Sequence, residues 1–374
     1  MAFSLLSLSF FVIQVFGFSI SLAFIFNLAL IFFNPIYKKD LIIILIFVFF
    51  FISNLLYQFW ALNIWEFIKT FSLMIIAIYS FISLPRIDYK YFNLNVLKNV
   101  IVFSSILIIT FGFLQVFFFL FFNSTDLFFL FDKISISTAK NAGRFQAVNL
   151  LSYIRPISFY HEPSYLGSVL FLLLISSIKL KFNKFFSIFL FLGILGSLSM
   201  TVYFFTFLYL IFEFRKFYIF IFSIGFLLLF IFFFFSEIDL SFFRFSELTL
   251  AGSSGHERII APFNSILFEF NFVTTIFGRA LGQTQKQLDN SFYVLLSYFG
   301  SFLPLIFYLI YIHVKTILVY TESIIIFFIF FFNMLFLNGA IITPESQFLI
   351  LFCFIVLKFN NSGFKNLDFH ERKK

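Results

Sequence analysis

Residues 100–122 read VIVFSSILIITFGFLQVFFFLFF, 23 positions without one charged side chain. About 20 apolar residues in a helix, at about 1.5 Å each, cross the ~30 Å hydrocarbon layer of a bilayer. The stretch therefore reads as a membrane-spanning helix. Working outward from it, comparable runs recur near 41–60, 65–84, 164–178, 217–235, 291–314, 323–341 and 346–358. Composition agrees: of 374 residues, 62% are hydrophobic, 25% aromatic and 11% charged, and the mean hydropathy is +1.06. Soluble domains carry about a quarter charged residues, so this chain lacks the polar groups to cover a water-facing surface. Phenylalanine, at 75 residues, dominates the aromatic set. It serves adequately toward lipid, so the excess has an ordinary explanation.

Two apolar regions are longer than one crossing. Residues 3–33 form either one tilted helix or two short ones divided near Gln14 and Gly17. Residues 185–212 would reach about 42 Å as a single helix, and Gly193, Gly196, Ser197 and Ser199 interrupt their middle. Both flanks are basic, with Lys179, Lys181 and Lys184 before and Arg215 and Lys216 after. Basic flanks stay in the cytoplasm, so two short helices in a hairpin are expected. The total is 11–12 spans in a single integral membrane domain over 1–374, an all-α polytopic membrane protein. The start has no basic region before its first apolar run, so no cleavable signal is expected.

Charge distribution tests this topology. The formal net charge is +8, from 25 Lys and Arg against 17 Asp and Glu. Sixteen of the 25 basic residues fall in the proposed cytoplasmic pieces, for a net of +10 there and −2 outside. The excess is thus a topology signal, and nucleic-acid binding loses its support. The tail at about 359–374, ending in Arg372, Lys373 and Lys374, reads as a cytoplasmic anchor toward anionic lipid. The lone Cys353 excludes a disulfide framework and a cysteine zinc site, and its apolar surroundings make it a packing residue.

Two connections are too long for turns, 123–163 and 236–290, and both fall on the outer face. Their Phe, Ile and Leu content argues against disorder, and long loops in compact proteins commonly carry function. Within the second, 259–277 reads as a helix, either amphipathic at the membrane surface or packed in the loop. The first loop ends Arg155-Pro-Ile-Ser-Phe-Tyr-His161-Glu162-Pro163-Ser164. Pro163 suits the first turn of the following helix. Glu162 is then favoured by the helix dipole, which is one sufficient account of it. His161 has the equally ordinary role of a hydrogen-bonded structural group. The second loop holds Gly252-Ser-Ser-Gly-His-Glu-Arg258, then Gly278-Arg279, then Asp289-Asn290 before a span. Each arginine alone could pair with a nearby acid. As a set, Arg155, Arg258 and Arg279 beside a membrane cavity suit a lipid-linked diphosphate, since guanidinium binds phosphate through paired hydrogen bonds. No nucleotide-binding P-loop, HExxH or Asp-rich metal motif is present. The leaving group is then expected on a substrate already activated on a lipid, with no cofactor and no metal.

An Arg followed by aromatic-x-Glu-Pro-Ser entering a membrane helix, a second outer loop with a Ser/Gly-rich turn ending in Arg258, and Asp289-Asn290-Ser291-Phe292-Tyr293 followed by Gly300 together resemble the bacterial O-antigen polymerase/ligase superfamily. The motifs cover about 155–167 and 252–300. The resemblance implies a membrane glycosyltransferase fold of the C type and an undecaprenyl-diphosphate-linked oligosaccharide as donor and acceptor. A chain-length regulator is a further partner it allows. It implies that Arg155 and Arg258 bind diphosphate and substrate. Asp289 stands where the ligase branch has His, which favours the Wzy-type polymerase branch over a ligase that transfers glycan to lipid A core. In such a transfer Asp289, Glu162 and His161 are the candidates to take the acceptor proton. The expected place is the bacterial inner membrane, with the site on the periplasmic side and the C-terminus in the cytoplasm. A flippase or transporter for the lipid-linked sugar is the reading of another class. It is weaker because transporters place ionisable groups within spans, whereas these spans hold Asn27, Asn54, Gln115 and Asn333, with the charges Glu66 and Lys69 near a helix end.

Overall fold

The computed structural model describes residues 13–15, 18–20, 64–83, 93–122, 163–197, 199–214, 272–278, 290–336 and 344–371 as continuous pieces, together with single positions including Pro156, Ser158 and Tyr160. Helices dominate. In chain order they are α1 (Ile64–Ser83), α2 (Leu94–Phe122), α3 (Pro163–Lys179), α4 (Lys184–Gly196), α5 (Met200–Glu213), α6 (Phe272–Phe277), α7 (Ser291–Phe299), a 3-10 turn (Gly300–Phe302), α8 (Leu303–Ile317), α9 (Thr321–Leu335) and α10 (Pro344–Glu371). Among the described residues two stretches are long and apolar enough to cross a membrane, Leu94–Phe122 and Ser291–Ile317, with mean hydropathies of 2.4 and 1.9. The spans expected near 41–60 and 217–235 lie outside the described residues, apart from a few isolated helical positions.

The N-terminal run departs from an all-helical reading. β1 (Ile13–Val15) and β2 (Phe18–Ile20) pair antiparallel, with Gln14 opposite Ser19. The division expected near Gln14 and Gly17 falls here, but between strands rather than helices. The β-branched Ile13, Val15 and Ile20 favour extended backbone.

Residues 185–212 do form two short helices, α4 and α5, parted at Ser197–Ser199. At about 20 Å each, both are shorter than a ~30 Å hydrocarbon layer. Asn183 caps α4 by accepting from Phe185 N–H at 3.2 Å. The hairpin folds back along α3. Lys179 at the end of α3 pairs with Glu213 at the end of α5 at 2.6 Å, and Lys98 near the start of α2 stands 5.5 Å from the Phe182 ring. Lys98, Lys179 and Glu213 therefore lie at one end of the bundle, where α2 begins and α3 and α5 end.

The core is centred on α3, α9 and α10. Phe171, Phe327, Phe330, Phe348, Phe352 and Phe354 are all fully buried there. Phe171 meets Tyr209 edge-on and Phe330 at a tilt, both at 5.9 Å between ring centroids. Phenylalanine is thus a core residue as well as a surface one, the latter exemplified by Phe103, Phe113 and Phe121. Cys353 is buried in the same core, as its apolar run implied. The last helix continues through Glu371 and so includes most of the stretch expected as a basic tail.

Candidate functional site

The end of the bundle opposite the basic cluster gathers four polar structural elements. The first is the approach to α3. Helix α3 begins at Pro163, where a missing N–H costs nothing. Just before it, Ser158 sits at φ 51°, a left-handed conformation uncommon for a residue with a Cβ. Three hydrogen bonds hold it. Its N–H donates to Gln115 Oε1 at 2.7 Å, its carbonyl accepts from Gln115 Nε2 at 3.0 Å, and its Oγ donates to the Ile108 carbonyl at 2.7 Å. Gly112 lies between these contacts on α2, and a Cβ there would come within 3.4 Å of Pro156 Cβ. Tyr160 packs into the core at 2% exposure.

The second element is the α4–α5 hairpin tip. Ser197 and Ser199 are buried, and the tip packs on Gly167, where a Cβ would approach Ser197 Oγ to 2.9 Å and Val202 to 3.0 Å. The third is Asn333 on α9. Its Nδ2 donates to Ser168 Oγ at 2.9 Å, and Ser168 Oγ donates on to the Ser164 carbonyl at 2.9 Å. The fourth is the start of α7, where Asn290 Oδ1 accepts from Phe292 N–H at 2.8 Å and is fully buried. One turn of α9 ties the third element to the fourth: Phe336, three residues after Asn333, stacks on Phe292 at 6.1 Å. The helix starts that follow the two long loops therefore meet the same end of α9.

The second loop also enters the bundle at a different level. Gly278 (φ 75°) and Gly300 (φ 51°) bring backbone into direct contact. A Cβ on Gly278 would run into the Tyr298 carbonyl oxygen, and one on Gly300 would lie 2.5 Å from that of Thr275. Ser301 Oγ adds a bond to the Thr275 carbonyl at 3.0 Å. The short helix α6 is thus packed against the bend between α7 and α8; the rest of the helix expected over 259–277 lies outside the described residues, apart from isolated positions. Eight residues of α7, about 12 Å, separate Asn290 from Tyr298.

The six residues expected to do the chemistry, Arg155, His161, Glu162, Arg258, Arg279 and Asp289, lie outside the described residues. Their chain neighbours do not. Pro156, Tyr160 and Pro163 flank Arg155, His161 and Glu162 at the approach to α3, and Asn290 follows Asp289 at the same end of the bundle. Gly278 precedes Arg279 about two helical turns away. Among the described residues no three of His, Cys, Asp and Glu come together. Sequence reasoning missed Gln115 and Asn333 as parts of this framework, treating both as ordinary polar residues within spans. The available signal was that each is an amide in an otherwise apolar helix, where an unsatisfied polar group is costly.

Comparison with known families places the chain in a class, the polysaccharide polymerases, whose reaction is glycosyltransferase-like. The model of the WcaD colanic acid polymerase family matches residues 1–359, and the chain belongs to that family. No curated protein and no solved structure matches it.

Proposed function

We propose that the chain is a membrane-embedded polymerase that transfers a growing glycan from undecaprenyl diphosphate to the non-reducing end of a lipid-linked repeat unit, at the periplasmic face of the inner membrane. The O-antigen expected from the loop motifs and the colanic acid of the family description are products of one reaction class, and the reaction is proposed in the form common to both. The observation that supports the reading is the meeting of the α3 and α7 starts at one end of α9; Arg155 and Glu162 precede the first of these starts in the chain and Asp289 precedes the second. The opposite end carries the basic cluster, which supports a cytoplasmic side there and an outer side here. The C-terminus follows as cytoplasmic.

In the transfer, an acceptor hydroxyl oxygen forms a bond to the anomeric carbon while the bond from that carbon to the phosphate oxygen breaks. The lipid diphosphate leaves with the electron pair, and the hydroxyl proton passes to a base. Arg155, Arg258 and Arg279 stabilise the charge growing on the leaving diphosphate, as preorganised positive charge does without metal. A carboxylate within hydrogen-bond reach, Asp289 or Glu162, receives the proton, with His161 the third candidate.

The test is substitution at normal membrane abundance. Arg155→Ala and Arg258→Ala are each expected to abolish polymerisation on a polysaccharide gel and leave single repeat units. Wild-type chain lengths in both variants refute the assignment. A ligase would instead leave acceptor core with no repeat at all. A transporter would require a gradient, whereas the proposed enzyme turns over in detergent with purified lipid-linked repeats.

A further inference from the structure

We propose that Gln115 is a positioning residue for the transfer: its side-chain amide fixes the segment at 156–160 and so sets the places of Arg155, His161 and Glu162. This rests on the functional reading above. A primary amide bonded to both the N–H and the carbonyl of one residue acts on that residue as a neighbouring strand would, and here the residue is Ser158. Gln115 also donates to the Leu127 carbonyl at 3.3 Å, so one side chain joins the beginning and the end of the first long loop to α2. The left-handed Ser158 persists because these bonds and the Ser158 Oγ bond to Ile108 over-determine it.

Depth explains why an amide is needed. Helix α2 has 29 residues, and Gln115 stands seven residues, about 10 Å, before its end at Phe122. Ile108 lies about 10 Å deeper still. Ser158 therefore lies beside α2, below its end, instead of across the top of the bundle. Non-helical backbone at membrane depth has no water to satisfy its polar groups, so protein must do so. Gln115 is fully buried on the packed face of α2, in register with Ile101, Ile108 and Gly112. Carbon at that position could fill the space but could neither accept from nor donate to Ser158.

The experiment combines hydrogen–deuterium exchange with steady-state turnover on the full chain in detergent, using defined lipid-linked repeats. In Gln115→Leu, exchange of the peptide covering 156–162 should rise at least tenfold while α3 at 166–176 stays protected, and kcat should fall at least tenfold with KM nearly unchanged. In Gln115→Glu, burial favours the protonated carboxyl, and once ionised at alkaline pH the carboxylate still accepts from Ser158 N–H but cannot donate to its carbonyl. Turnover should then recover as pH falls and the carboxyl gains its proton, a limb absent from the wild-type profile. Unchanged exchange and turnover in Gln115→Leu overturn the proposal, as does faster exchange with unchanged turnover. If Gln115→Leu does not accumulate, the Gln115→Glu profile decides, and a wild-type profile overturns the proposal. Failure of the functional reading itself looks different: Arg155→Ala polymerises normally while Gln115→Leu still speeds local exchange.

Discussion

Replacing Gly300 with alanine should disable the enzyme from a position bearing no chemistry. Gly300 lies at φ 51° and ψ −133° between α7 and α8, a conformation favouring glycine in which a side chain costs about 1–3 kcal/mol. The added Cβ would also sit 2.5 Å from the Thr275 carbonyl and 2.8 Å from Gly278 N, all backbone atoms that cannot swing aside. Overpacking of this kind costs about 1–3 kcal/mol. The two together make about 2–6 kcal/mol, relieved by α6 and Gly278 lifting from the bend. Natural domains hold only about 5–15 kcal/mol in all. The assay is thermal unfolding in detergent together with chain length on a gel. Gly300→Ala should lower Tm by several degrees and shorten or abolish polymer. Gly196→Ala is the control: no atom lies within 4 Å of its would-be Cβ, it is helical, and alanine there should be neutral or stabilising by up to about 1 kcal/mol. Equal Tm and equal chain length for Gly300→Ala and wild type would refute the packing argument.

Ser168→Ala should destabilise more than Asn333→Leu, because it leaves the buried Asn333 amide unpaired at about 1–3 kcal/mol whereas leucine removes the polar group altogether; chemical unfolding of the two variants in parallel gives the order, and the reverse order defeats the account. Lys179→Met should cost about 3 kcal/mol by leaving Glu213, 18% exposed, without its 2.6 Å partner. The Lys179→Met/Glu213→Gln double variant should recover part of that loss, and Tm values of the set test it, with no recovery counting against the pair.

The helical framework was legible because apolar runs of fixed length and a break at Gly193–Ser199 are local signals. The end of the bundle holding the basic cluster was legible for the same reason, since Lys98, Lys179 and Lys184 mark it in the chain. The N-terminal strand pair was not: Ile13–Val15 and Phe18–Ile20 are as hydrophobic as any helix nearby, and short apolar runs do not reveal their period. The site was half legible. Pro163 and Asn290 announce helix starts through capping chemistry, but nothing in the chain says that the two starts meet.

Sequence alone determined that this chain is helical and apolar, which of its connections are long, and where its scarce charges stand, because hydrophobic run length, turn residues and net charge are properties of neighbouring residues. Only the tertiary structure decided that Gln115 grips Ser158 across 43 positions and Asn333 reaches Ser168 across 165, or that Gly278 and Gly300 share one backbone contact. Those pairings depend on which helix faces pack together. Packing is set by the shapes of many side chains at once, which no local pattern records.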